Sequence, residues 1–240
     1  MHATTFAPET ILTPKIICIP LGVLINYKDT DLIPILIAAS PETFTEANLG
    51  TLFTRLIPDY NSVLNKFKRG EIASAEFYTG IAEEFKAITG QDFPLNSRAF
   101  SIAFNAPLKR NDANIVELTR LIESGALSQI AFISYSNPEN LGKILRGDFN
   151  ARGFAIEAID DGAVQVSIAR ISCPLYVTHL LKDTLKAGGP GISEHDRLIA
   201  HVRTCNAEAQ VIYCKSMDEL RKSVASQSAA SLFETAAPSL

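Results

Sequence analysis

Hydroxyl and amide side chains gather where one short apolar run gives way to a helix start. Ile130-Ala131-Phe132-Ile133 reads as a strand, Ser134, Tyr135 and Ser136 follow it, and Asn137-Pro138 opens a helix with a capping residue and proline at the first position. Free backbone N–H groups and the helix dipole at such a junction form an anion site by geometry alone. Capping by Asn137 is the reading that needs no ligand. Cys18 is the thiol nearest another strand end, but side chains alternate along a strand, which aims it away from that end's mouth. Asp29-Thr30-Asp31 pairs two carboxylates, yet the preceding Asn26-Tyr27-Lys28 is too polar to be the buried strand that would aim them, so the triplet reads as a loop or helix start. Ala187-Gly188-Gly189-Pro190-Gly191 lacks the Gly-Lys-Ser/Thr ending of a phosphate loop and reads as a flexible surface loop. His195 and His201 stand six apart, and His2 and His179 stand alone, so no two histidines share a helical face and no metal ligand set emerges.

The elements that must position these groups alternate between strand and helix. Ile16 to Ile25 is a continuous β-branched run, as in a central strand covered on both faces, with Pro20 at its end because proline cannot donate to a ladder. Ser40-Pro41-Glu42 reads as a helix start, and Phe77, Ile81, Phe85 and Ile88 recur at helical spacing after Ser74. Gly70, Gly90 and Pro107 punctuate this stretch, which makes residues 29–105 a helical insert. From Asn111 a helix carries Ile115, Leu118, Leu121 and Ile122 to a stop at Gly125. Phe154–Ile159, Val164–Ile171 and Leu175–Leu181 are further apolar runs around the turn signal Asp160-Asp161-Gly162, and Val211–Cys214 is the last strand. The repetition argues an α/β fold: a Rossmann-like, mostly parallel sheet flanked by helices. Residues 1–14 read as a flexible arm, 15–28 and 106–222 as the α/β core, and 223–240, rich in Ser and Ala, as a flexible tail.

Three segments carry a family resemblance. Lys15-Ile16-Ile17-Cys18-Ile19-Pro20-Leu21-Gly22-Val23-Leu24-Ile25-Asn26 resembles the opening motif of haloacid-dehalogenase-like hydrolases, F-D-L-G-G-V-L-I-D. Ile133-Ser134-Tyr135-Ser136-Asn137-Pro138-Glu139-Asn140-Leu141 is similar to their second motif, L-S-N-T-N-P-E-H-L. Arg69-Gly70-Glu71-Ile72 with Ala75-Glu76-Phe77-Tyr78 looks like R-G-E-I-S-x-E-E-F-Y of their helical cap. The resemblance covers residues 15–222 and implies an α/β core with an inserted helical cap, and a hydrolase built on an aspartate nucleophile and magnesium.

In that register the nucleophile falls on Ile19 and the second acidic position on Leu21, while Ser134 takes the place of the phosphate-holding hydroxyl. The third motif calls for a lysine, but none occurs from Ile144 to Leu181, and Arg170 is the cation near the matching place. The fourth calls for two acidic residues at a strand end. One register puts Ser193 and Glu194 there and the other Thr178 and His179. The family's chemistry attacks phosphorus with a carboxylate while magnesium shields the developing charge, and isoleucine supplies neither nucleophile nor ligand.

The leading expectation is therefore a pseudo-phosphatase with no catalytic residues, no metal and no cofactor, acting by protein or ligand binding. Leu21, Ser134, Tyr135, Ser136, Asn137, Arg170 and Glu194 are the binding candidates at the former cleft. One alternative is a rewired hydrolase of the same fold that uses magnesium, with Glu194, Arg170, His179 or Asp31 replacing the lost groups. Another is a secreted bacterial effector or scaffold component exported through the tail. A net charge of −4, with scattered basic residues, excludes a nucleic-acid footprint. The longest apolar stretches fall short of the ~20 residues of a spanning helix, and residues 1–15 carry no signal-peptide pattern. Four cysteines with no C-x-x-C pair read as reduced thiols, and the expected location is cytoplasmic, with any protein partner on the cap or core surface.

Overall fold

Strand β1 (Lys15–Pro20) alternates between two hydrophobic layers. Ile17 and Ile19 pack into one cluster and Cys18 into the other, as the two-residue period of a strand requires. The computed structural model describes residues 13–27, 29–159, 163–181 and 193–235, with backbone alone for 29, 30, 194 and 227–235. Beside β1 lie β4 (Ile130–Ser134) on one side and β8 (Gln210–Tyr213) on the other, both parallel to it, and β7 (Ile171–Val177) runs parallel to β4. The antiparallel strands β6 (Val164–Ile168) and β5 (Phe154–Ala158) complete a six-stranded sheet of order β5-β6-β7-β4-β1-β8. The mostly parallel α/β class expected from the sequence is what the chain forms.

Helix α6 (Asp112–Glu123), capped by Asn111, and α9 (Met217–Thr235) contribute Ile115, Leu118, Met217 and Leu220 to the layer that holds Ile19. On the other face α8 (Glu194–Cys205) covers Cys18 and Ala131 with Leu198, Ile199 and Val202. The stretch from 223 to 235 is helical, unlike the flexible tail the Ser/Ala composition suggests. Met217, Leu220 and Val224 at helical spacing anchor its first turns in the core.

Two short strands join the sheet to the insert. β2 (Ile25–Asn26) pairs antiparallel with β3 (Lys109–Arg110), so the chain leaves and re-enters the core through one two-stranded ribbon. Between them stand five helices: α1 (Asp29–Ala39), α2 (Glu46–Leu56), α3 (Val63–Lys68), α4 (Ser74–Thr89) and α5 (Ser97–Asn105). They enclose a separate hydrophobic cluster built largely of leucine and phenylalanine, with Phe67 stacked on Phe77 at 4.2 Å. Each fully buried phenylalanine contributes about 1.5–3 kcal/mol, so this unit has a core of its own.

The first of the insert's expected helix starts is corrected. Ser40-Pro41-Glu42 forms a turn, and α2 begins at Glu46, where Thr45 and Asn48 exchange reciprocal capping bonds. Gly90 ends α4 in the left-handed region at φ 74°, as the sequence indicates. The Asp160-Asp161-Gly162 turn, the 187–191 glycine stretch and residues 1–12 lie outside the described residues. Among the described residues no helix is long and apolar enough to cross a membrane.

Candidate functional site

In parallel sheets the crevice beyond the carboxyl ends of the strands is where ligands bind. Here β1 ends at Pro20, β4 at Ser134, β7 at Val177 and β8 at Tyr213, all on one edge of the sheet. A cavity of about 270 Å³ opens above this edge, below the helical insert. Its floor is Pro20, Leu21 and Gly22, and its wall is the β4 to α7 (Pro138–Lys143) junction from Ile133 to Asn137, with Asn140. Ile25, Tyr27 and Leu108 reach it from the ribbon, Lys68 and Phe104 from the insert, and His195 from α8.

The β4 junction is built as the sequence implies. Asn137 Oδ1 accepts from the Asn140 backbone N–H at 2.8 Å, so Asn137 is a helix cap, and Ser136 Oγ–H donates to the Asn137 carbonyl at 3.4 Å. The turn after β7 braces the junction from beside it. Thr178 Oγ1–H donates to the Ser134 carbonyl at 3.2 Å, and His179 Nδ1–H donates to the Ser136 carbonyl at 2.7 Å. A carbonyl can only accept, which fixes the His179 tautomer. Gly70 packs against the same turn: a Cβ there would stand 2.7 Å from His179 Cβ, and its φ of +70° also favours glycine.

The insert is held over the site by a second set of bonds. Glu139 of α7 accepts from Ser101 Oγ at 2.7 Å and from Asn105 Nδ2 at 3.3 Å, and Lys143 Nζ donates to the Asn105 carbonyl at 3.1 Å. Asp31, which the sequence offers as a substitute acid, accepts from Lys109 Nζ at 2.9 Å and so ties α1 to the ribbon.

Five of the candidates named from sequence meet in the cavity lining: Leu21, Ser134, Tyr135, Ser136 and Asn137. Arg170 does not join them. It sits in the two-residue turn between β6 and β7, where Ala169 and Arg170 both have positive φ (49° and 68°), at the amino end of β7. Seven residues of β7 separate it from the cleft edge, about 23 Å at ~3.3 Å per residue. Glu194 is the first residue of α8, next to the cavity-lining His195, but its side chain lies outside the described residues. Ile19 is fully buried beneath the floor, opposite Phe132 of β4, and does not line the cavity.

The strand order decides which strand ends stand beside that of β1. A metal held between carboxylates at the end of β1 and an acidic pair at another strand end needs those strands to be neighbours. The neighbours of β1 are β4, which carries the serine motif, and β8. β8 runs into Cys214-Lys215-Ser216, with the Cys214 N–H bonded to the Cys18 carbonyl at 2.9 Å. By strand order the residues that follow the strand end beside that of β1 are Cys214 and Lys215, whereas Ser193 and Glu194 open α8 and Thr178 and His179 follow β7. Burial raises the Cys214 thiol, and Lys215 is turned to an ion pair with Glu219 at 3.2 Å.

The residues present do not fit magnesium. Among the described residues no aspartate or glutamate lines the cavity, and no three His, Cys, Asp or Glu side chains cluster to hold a metal. Cys18 offers no replacement nucleophile. It faces the opposite layer, and burial pushes its thiol up to about 12. Sequence reasoning missed Lys68, Tyr27, Asn140 and His195 as site residues. His195 stacks edge-on against Tyr213 at 4.8 Å, and burial holds its imidazole below the usual range, hence neutral at pH 7.

No family model matches the sequence, and no curated protein does. Solved structures do match. The HAD family enzyme BT-2542 of Bacteroides thetaiotaomicron, in complex with magnesium and inorganic phosphate, is 16% identical, with a TM-score of 0.54 over 83% of each chain. A second structure of that enzyme is 15% identical, covers 83% of this chain and 82% of that one, and gives a TM-score of 0.53. Its magnesium complex is 15% identical over 85% of this chain and 94% of that one, with a TM-score of 0.50. Two parallel neighbours beside β1, the hydroxyl-bearing end of β4 and the match to these enzymes agree: this chain has a haloacid-dehalogenase-like fold.

Proposed function

We propose that this chain is a pseudo-phosphatase: a haloacid-dehalogenase-like protein whose helical insert, acting as a cap, and α/β core bind a ligand in the former catalytic cleft without hydrolysing it. The observation that carries this reading is the chemistry of two neighbouring strand ends, those of β1 and β8. Where phosphoryl transfer by an aspartyl intermediate needs carboxylates, β1 offers Ile19, Pro20 and Leu21, and β8 offers Cys214 and Lys215. An isoleucine cannot attack phosphorus, and neither a thiol nor an ammonium group is the oxygen ligand that magnesium needs.

The rewired-hydrolase alternative gains little from the same geometry. Arg170 lies at the opposite end of the sheet and Asp31 is bonded to Lys109, which leaves His179, placed beside Ser136, and Glu194, whose side chain lies outside the described residues. Calorimetric titration of the protein with magnesium chloride, alone and with inorganic phosphate, tests the proposal. The expected result is no saturable heat for the metal; stoichiometric magnesium binding would overturn it.

A further inference from the structure

We propose that Cys205, with His201 as its base, is a thiol–disulfide exchange site that takes up a small peptide thiol from a low-molecular-weight disulfide. The site lies toward the other end of the sheet from the strand-end cavity and does not depend on what that cavity holds. Its first support is a set of polar contacts between two elements. His201 and Cys205 stand four apart on α8 and so share a face, with Cys205 Sγ 3.4 Å from His201 Nε2, the reach of a hydrogen bond to sulfur and of a nucleophile to its base. Tyr176 of β7 meets both. Its ring lies edge-on to the His201 imidazole at 5.5 Å, and its phenol hydrogen-bonds with Cys205 and Asn206. Burial raises the phenol, so it remains a donor at pH 7, and Asn206 is itself held by donating Nδ2–H to the Val202 carbonyl at 2.7 Å. With the phenol donating to sulfur, the thiol proton is directed to the imidazole nitrogen.

The second support is access. Cys205 is the exposed cysteine, whereas Cys18, Cys173 and Cys214 are enclosed and burial raises their thiols. Nucleophile and base therefore meet where a co-reactant can reach them. The third is room for the half that is kept. Asn206, next to Cys205, also lines a cavity of about 330 Å³ at the amino ends of β4 and β7. Ser128, Gln129, Ser172 and Asn206 give this cavity hydroxyls and amides, Ile16 and Pro174 give it apolar surface, and among the described residues no charged side chain lines it. Neutral hydrogen-bonding walls suit the amide groups of a short peptide, and the volume falls at the lower end of small-molecule sites.

The exchange balances without a further reagent. Cys205 Sγ bonds to one sulfur of the disulfide as its proton passes to His201 Nε2. The S–S bond of the disulfide breaks with its electron pair on the other sulfur, which leaves as a thiolate and takes the proton back from the imidazolium. Cys205 is oxidised to a mixed disulfide, and the departing half is reduced to a thiol. The three other thiols are buried, so none is placed to displace the adduct, and the mixed disulfide is the end product.

Oxidised glutathione is the probe, applied to the full chain at pH 7 and followed by intact mass and peptide mapping. The wild type should gain a single glutathione on Cys205 and lose it to dithiothreitol. His201→Gln, which keeps a polar side chain but takes up no proton, should react about tenfold to a hundredfold more slowly, the lower part of what a positioned base contributes. No adduct, an adduct on another cysteine, or a His201→Gln rate within about twofold of the wild type would overturn the proposal. Should His201→Gln fail to fold, the native wild type is compared with the same chain unfolded in guanidinium. Cys205 should then react about tenfold faster in the native chain, where its base is in place, and an equal or slower native rate overturns the proposal.

Discussion

Placing a carboxylate at position 19 probes the packing beneath the floor of the cleft. Ile19 is fully buried opposite Phe132 of β4, in the layer shared with Leu118 and Leu220. Replacing it by aspartate removes most of an aliphatic side chain from a packed core, which costs about 2–4 kcal/mol. It also buries a carboxyl group with no donor placed for it, which costs about 1–3 kcal/mol more. The sum, about 3–7 kcal/mol, is a large fraction of the ~5–15 kcal/mol that holds a typical domain together. Burial raises the carboxyl pKa in the folded state above its unfolded value of about 3.9, so the folded state binds more protons between the two. The variant's stability is then highest at low pH and falls as pH rises toward the folded pKa, by about 1.4 kcal/mol for each unit of elevation. Guanidinium denaturation followed by circular dichroism at pH 4.5 and pH 8 reads both effects, with the wild type as reference. A loss under about 1 kcal/mol that is equal at the two pH values would mean that position 19 is solvated and faces the cleft, which refutes the placement of β1 argued above.

Other consequences can be checked on the same protein. Of the four cysteines Cys205 is exposed and Cys18, Cys173 and Cys214 are buried, with Cys18 and Cys173 raised to about 12 and about 11. Native alkylation at pH 8 should therefore label one thiol by mass spectrometry and all four after denaturation; rapid native labelling of Cys18 would contradict its orientation. Phe77→Ala opens the centre of the insert's aromatic cluster and should cost about 3–5 kcal/mol in denaturant melts, against a null result if the insert lacked a core. Gly70→Ala forces a Cβ against His179 at a positive φ and should cost about 1–3 kcal/mol; an unchanged melting temperature would show that the turn gives way freely.

Much of this molecule is legible wherever local pattern decides the outcome. The β-branched run at β1, the Asn137-Pro138 start of α7, the Asn111 start of α6 and the Ser134–Asn137 wall are all set by residues a few positions apart, and the structure places them as their chemistry implies. What escaped is set across the sheet. Arg170 was drawn to the cleft because Val164–Ile171 reads as one apolar run. Ala169 and Arg170 carry no turn signature, yet they form the hairpin that sends Arg170 to the far edge. The end of β8 could not be placed from spacing, because only its pairing with β1 shows that Cys214 and Lys215 follow the strand end beside that of β1. Likewise the tail's composition hides a helix, since Met217, Leu220 and Val224 are three apolar contacts within a polar stretch. Asn140 and Lys68 look unremarkable in the chain, and only the fold of the insert over the strand ends brings them to one cavity.

The central claim is that this fold has given up phosphoryl transfer, and it is tested most directly by phosphate release from a panel of phosphomonoesters by the wild-type protein with millimolar magnesium. The account predicts release no faster than the protein-free blank for the wild type and also for Ile19→Asp, because the end of β8 supplies no acidic pair to hold the metal. Magnesium-dependent release by the wild type that Ser134→Ala abolishes would contradict it.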